Sequence, residues 1–179
     1  MSLPRAPKPA KLVVGVFLKE KSLLPAVVHD LIAHFGPVDM VSRWYVFDFT
    51  DYYEAEMGRP LFRRLLSFSR LVDPGKLPDI KRTTNGLERR RAENGLRLVN
   101  LDPGYLVHSQ FVLATGKNYS HRIYLGSGIY ADLTLMFRKG RFESLPWTYP
   151  DYADRRIQRF LMCVRKRYGH DLQQRKASR

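Results

Sequence analysis

Apolar and polar positions along this chain switch between two periods, and the switches mark its elements. Residues 11–19, KLVVGVFLK, are a valine-rich apolar run bounded by charge, which predicts a buried strand. Beyond it, Leu23, Leu24, Val27, Val28, Leu31, Ile32 and Phe35 recur every three or four residues, the spacing of a helix with one buried stripe. Ser22 is placed to cap that helix, Pro25 sits in its first turn where a missing N–H costs nothing, and Gly36-Pro37 ends it. Residues 38–49 are aromatic and β-branched and predict one long strand. Leu61–Val72 is ambiguous: apolar positions 61, 62, 65, 66, 68 and 72 suit a helix at least as well as a strand.

A second helix begins at Asp73-Pro74, carries Leu77, Ile80, Thr84, Leu87 and Arg91 on one stripe, and ends at Asn94-Gly95. The remainder turns to strands. Residues 96–101 and 105–114 flank an Asp102-Pro103-Gly104 turn, and 121–125 and 129–137 flank Gly126-Ser127-Gly128. Lys139-Gly140 then leads into 141–145, and the stiff connector PWTYP precedes an amphipathic helix over 152–168. Ile157, Phe160, Leu161 and Val164 form its inward stripe.

The expected fold is α+β, a mostly antiparallel sheet with about three helices. If Leu61–Val72 is a strand, the order opens as a ferredoxin-like β-α-β-β-α-β unit, extended by β-hairpins and a C-terminal helix. Residues 1–10, with three prolines, read as a flexible basic leader, 11–170 as a single domain, and 171–179 as a frayed basic tail.

Composition narrows the class. With 179 residues, 44% of them hydrophobic, the chain holds enough core material for one domain. A single cysteine, Cys163, excludes an internal disulfide, a four-cysteine zinc site and a redox pair. No apolar run approaches the roughly 20 residues of a membrane span. Residues 12–18 are followed at once by Lys19, Glu20 and Lys21 with no small-residue cleavage site, so the expected location is the cytoplasm, with no membrane partner.

The charge is lopsided, with 31 Lys and Arg against 17 Asp and Glu, a net +14. Residues 1–60 are neutral, whereas 61–100 carry ten basic and four acidic side chains and 151–179 carry nine and three. Such an excess either solvates a face or attracts an anionic partner. Arg89, Arg90, Arg155, Arg156 and Arg159 are the candidate polyanion face.

Several chemistries are absent from the sequence. The Gly116-Lys117 pair lacks the upstream glycine and following Ser/Thr of a phosphate loop, and no GxGxxG follows the first strand. No HExxH and no GxSxG occurs either. Four clusters remain. Asp48, Asp51, Glu54 and Glu56 could hold Mg²⁺, or form a solvated acidic loop paired with arginines. Lys117, Asn118, Ser120, His121 and Arg122, in ATGKNYSHR, could hold a phosphate or act as an acid/base pair, or be a polar hairpin loop. Asn100, Asp102 and Tyr105 fit turn chemistry. Lys81, Thr84, Asn85 and Glu88 share the second helix, and Lys81 joins the phosphate set.

The expected function is binding of a phosphate-bearing ligand, a nucleotide or an RNA end, at the basic hairpin. Non-catalytic RNA or polyanion binding through arginine-rich helices is the alternative, and a protein-interaction or assembly module is a third. No residue set specifies catalysis.

The strings FDFTDYYEAEMG, KRTTNGLE, NLDPGYL, LATGKNYSHRIYLGSGIYADLTL and LPWTYPDY resemble those of an uncharacterised family of bacterial and archaeal proteins, over nearly all of residues 11–168. That resemblance implies one whole-chain domain in the cytoplasm. Some members are labelled GTP-binding proteins, a label that no phosphate-loop motif in this chain supports. It carries over no catalytic residue.

Overall fold

Nine consecutive buried residues, Ala10–Leu18, form β1, around which the rest is arranged. The computed structural model describes residues 1–47 and 54–177. After β1 come α1 (Leu24–Phe35), β2 (Val38–Val41), β3 (Tyr45–Phe47), α2 (Glu54–Met57) and β4 (Leu61–Val72). Then follow α3 (Leu77–Arg90), β5 (Ala92–Glu93), β6 (Leu96–Arg97), β7 (Val99–Leu106) and β8 (Gln110–Thr115). The chain continues through β9 (Ile123–Gly126), β10 (Ile129–Arg138), β11 (Arg141–Ser144), α4 (Pro150–Ala153) and α5 (Arg155–Ala177).

Among the described residues, nine strands make one sheet in the order β11-β10-β8-β7-β1-β4-β2, with β3 added to β4 and β9 to β10. Every pairing in it is antiparallel. Strand alternation sends Leu12, Val14, Val16 and Leu18 to one face, against Val27 and Leu31 of α1 and Ile80 and Leu87 of α3. Val13 points the other way with Leu65 and Phe111, under Ile157, Leu161, Val164 and Tyr168 of α5. The order β7-β1-β4-β2, with α1 and α3 on one face, is the expected ferredoxin-like start. No helix among the described residues is long and apolar enough to cross a membrane.

Leu61–Val72 is a strand, and its ambiguity has a cause. It lies between β1 and β2 with Leu66 and Phe68 under α1 and Leu65 under α5, so burial on both faces removes the alternation. The long strand expected over 38–49, whose last two residues lie outside the described ones, is broken within 38–47. Ser42 interrupts it, its Oγ accepting the Leu65 N–H at 2.9 Å where a backbone carbonyl would in a regular ladder. The pieces on either side, β2 and β3, both pair with β4. Ser22 does not cap α1; its hydroxyl donates to Glu20.

Two expected boundaries move. α3 stops at Arg90, and Asn94-Gly95 is the two-residue loop of the β5–β6 hairpin. Ser127-Gly128 and Lys139-Gly140 serve the same purpose at β9–β10 and β10–β11, and all six of these loop residues have positive φ, between 46° and 81°. The second correction is larger: Asp102-Pro103-Gly104 is not a turn but the middle of β7, with Pro103 opposite Val14 of β1. The chain reverses later, where the Val107 N–H donates to the Gln110 carbonyl at 3.0 Å. Gly104 is needed for contact, since a Cβ there would lie 2.6 Å from the Val112 carbonyl oxygen of β8.

The last helix starts at Arg155, after α4, and reaches Ala177, so residues 171–177, expected to fray, are its final turns. Asp171 in those turns pairs with the fully buried Lys11 of β1, which also holds Asp39.

Candidate functional site

β7 and β8 stay paired only where Gly104, Tyr105 and Leu106 meet Leu113, Val112 and Phe111. Beyond that point they diverge, and Pro103, with no N–H to donate, sits at the parting. The wedge between them is a cleft of about 610 Å³. α3 contributes Lys81, Asn85 and Glu88 to its lining, and β7 contributes Asn100 and Asp102. Thr115, Gly116 and Lys117 come from the end of β8, Asp132 from β10, and Tyr149, Asp151 and Tyr152 from the connector and α4.

The α3 side is a network of charge and backbone. Lys81 Nζ donates to the Leu101 carbonyl at 2.8 Å and lies 3.5 Å from Asp102 Oδ1. Glu88 Oε1 accepts the Leu101 N–H at 2.7 Å, while its Oε2 lies 3.4 Å from Arg97 Nη1. Burial pushes the Glu88 carboxyl above its ordinary range, partly offset by Lys81. Arg97 also grips both oxygens of Glu56 at 2.6 Å, holding that carboxyl below its ordinary range. Its Nη1 donates to Asn100, whose amide donates to Asp102 at 3.0 Å.

The opposite side is organised around Asp132. Arg122, buried, donates from Nε to Asp132 at 2.8 Å, from Nη1 to the Lys117 carbonyl at 2.9 Å and from Nη2 to the Tyr149 hydroxyl at 2.8 Å. His121 Nε2 lies 3.3 Å from the same carboxylate, and its ring stacks on Trp147 at 5.0 Å. Loop ATGKNYSHR and connector PWTYP are therefore one unit, fastened to β10 by a buried ion pair.

Below the cleft, Arg63 of β4 is 1% exposed and ion-paired with Asp151. Its guanidinium lies between the rings of Phe17 and Tyr152, 4.7 and 4.3 Å from their centroids. The Tyr152 hydroxyl lies beside that guanidinium, so the two buried polar groups face each other under the cleft. Burial pushes the Tyr152 phenol up to about 12. Gly15 leaves room for both groups: a Cβ there would lie 3.1 Å from the Tyr152 hydroxyl and 3.6 Å from Arg63 Nη2.

Of the expected phosphate set, Lys81 and Lys117 line the cleft together, although they belong to a helix and a loop on different walls. Arg122 holds the Lys117 carbonyl from behind, His121 packs on Asp132 and Trp147, and Asn118 and Ser120 are exposed on the loop; none of the four is in the cleft lining. Asp48 and Asp51 lie outside the described residues. Glu54 pairs with Arg59 at 3.3 Å and Glu56 with Arg97. Among the described residues, no three His, Cys, Asp or Glu side chains gather as a metal site.

The candidate polyanion face divides. Arg89 and Arg90 end α3 on one face of the sheet, while Arg155, Arg156 and Arg159 begin α5 on the other, with Arg156 held by Asp154 at 2.6 Å. Sequence reasoning missed Arg63, Arg97, Asp132 and Asp151. Asp132, a charge inside the apolar run IYADLTL, and Arg63, within LFRRLL, carried the available signal: a charge on a buried strand needs a partner.

The chain belongs to a family described as a domain of unknown function (DUF4416), whose model matches residues 8–168. No curated protein matches it significantly, and no solved structure does.

Proposed function

We propose that this member of the family binds a small phosphate-bearing ligand, of nucleotide size, in the cleft between β7 and β8. The observation that carries this is the meeting of Lys81 and Lys117 across one hollow of about 610 Å³, inside the usual 300–1,000 Å³ of small-molecule sites. The carboxylates of the lining are already matched, Asp132 by Arg122, Asp151 by Arg63, and Glu88 and Asp102 by Lys81. To a ligand this lining brings two ammonium groups, that of Lys81 shared with the Leu101 carbonyl, Glu88 and Asp102 and that of Lys117, with amides from Asn85 and Asn100 and the rings of Tyr119 and Tyr149 for a flat, apolar part. The Tyr152 hydroxyl, beside the Arg63 guanidinium, adds a polar group at the floor.

Thermal shift and calorimetric titration with AMP, GMP, ATP, GTP and inorganic phosphate test the proposal. A bound ligand stabilises the fold increasingly with its concentration. Lys117→Ala is expected to weaken affinity about tenfold, roughly 1.4 kcal/mol. No shift with any of these at millimolar concentration removes the proposal.

A further inference from the structure

α3 borders a second hollow, of about 450 Å³, lined by Asp79, Arg82, Thr83, Asn85 and Arg89. Asn85 lines both this hollow and the cleft. The geometry of a helix explains why. Lys81, Asn85 and Glu88 are spaced by four and three residues and share the stripe facing the cleft. Arg82, Asn85 and Arg89, spaced by three and four, form the adjoining stripe, with Asn85 on the border.

The second hollow carries two guanidinium groups and one carboxylate. Arg82 and Arg89 are exposed, and neither has a carboxylate partner among the described residues. Asp79, the acidic residue of this hollow, lies 3.7 Å from Lys76. Thr83 directs its hydroxyl to the Asp79 carbonyl at 2.9 Å. Two guanidinium groups two turns apart on one helix face, beside a pocket already furnished for phosphate, match a further phosphate group.

We propose that Arg82 and Arg89 form a second phosphate subsite, so that the ligand is a nucleotide carrying at least one phosphate beyond the one in the cleft. This rests on the cleft being a nucleotide site. The second group is either the next phosphodiester of an oligonucleotide end or the outer phosphates of a 5′-polyphosphate, and both present the same anionic oxygens to the same arginines.

The test compares AMP and GMP with ATP and GTP and with the 5′-phosphorylated dinucleotides pApA and pGpG, by calorimetry at low salt. It uses the wild type, the double variant Arg82→Ala/Arg89→Ala and, as control, Arg138→Ala at the exposed end of β10, outside both hollows. Alanine on an exposed helix face keeps α3 folded. The expected result is about a tenfold gain from mononucleotide to the more highly phosphorylated ligand, lost in the double variant and kept in the control, with AMP and GMP affinity unchanged. A gain confined to the triphosphates identifies the polyphosphate source, and one confined to the dinucleotides identifies the phosphodiester. Mononucleotide binding with no gain from either, or a gain that survives the double variant, overturns this subsite while leaving the cleft intact. Failure of every probe, mononucleotides included, overturns both.

Discussion

Lys81 and Glu88, two turns apart on α3, hold the two backbone groups of a single residue: Lys81 donates to the Leu101 carbonyl at 2.8 Å and Glu88 accepts the Leu101 N–H at 2.7 Å. Together they do for the outer edge of β7 what a neighbouring strand would do. β8 has parted from β7 at that level, and two buried backbone groups would otherwise lack partners. The helix thus satisfies the sheet edge without filling the wedge, and a cleft results.

Glu88 titration follows from that arrangement. Burial raises its folded pKa above the ordinary 4.5, so the folded state binds a proton more tightly than the unfolded chain. Between 4.5 and the raised value, its contribution to stability falls as pH rises. Glu88→Gln keeps an oxygen for the Leu101 N–H and is expected to flatten this part of the profile. Glu88→Ala abandons that N–H and is expected to lose about 1–3 kcal/mol at every pH. Urea unfolding of both variants from pH 4 to 8 checks the pair, and an unaltered slope in Glu88→Gln would refute the assignment.

Two glycines make opposite predictions. Gly104→Ala forces a Cβ to 2.6 Å from the Val112 carbonyl oxygen, so β7 and β8 must separate, at a cost of about 1–3 kcal/mol. Gly86, inside α3, has nothing within 4 Å of where a Cβ would be. Gly86→Ala is expected to stabilise the protein by about 0.5–1 kcal/mol, because alanine loses less backbone freedom on forming a helix. Denaturation midpoints of the two variants should move in opposite directions; a shared direction contradicts the packing described for β7 and β8.

The buried pair Arg63–Asp151 ties α4 to β4 beneath the cleft. Removing one partner strands the other charge in an apolar surrounding, so Arg63→Met and Asp151→Asn are each expected to cost about 3–5 kcal/mol. The double variant should cost much less than the two losses together. A double-mutant cycle measures this directly, and strict additivity would show that the two side chains do not depend on each other.

Much of the architecture follows from short stretches of residues alone. The three-and-four spacing from Leu23 to Phe35 marks α1 in the sequence, because a helix gathers those side chains into one stripe that the sheet then buries. Ser127-Gly128 and Lys139-Gly140 turn hairpins because their backbones tolerate positive φ. Other features depend on distant partners. Asp102-Pro103-Gly104 has every local property of a turn, yet pairing with β1 keeps it extended. Leu61–Val72 hides its period because helices cover both its faces. The lysines of the cleft are legible as residues, but their meeting is decided by where β7 and β8 part. Arg63, Asp132 and Asp151 acquire meaning only from partners that folding brings near. Backbone preference and hydrophobic period act between neighbours in the chain, whereas a buried charge is defined by what lies across the core.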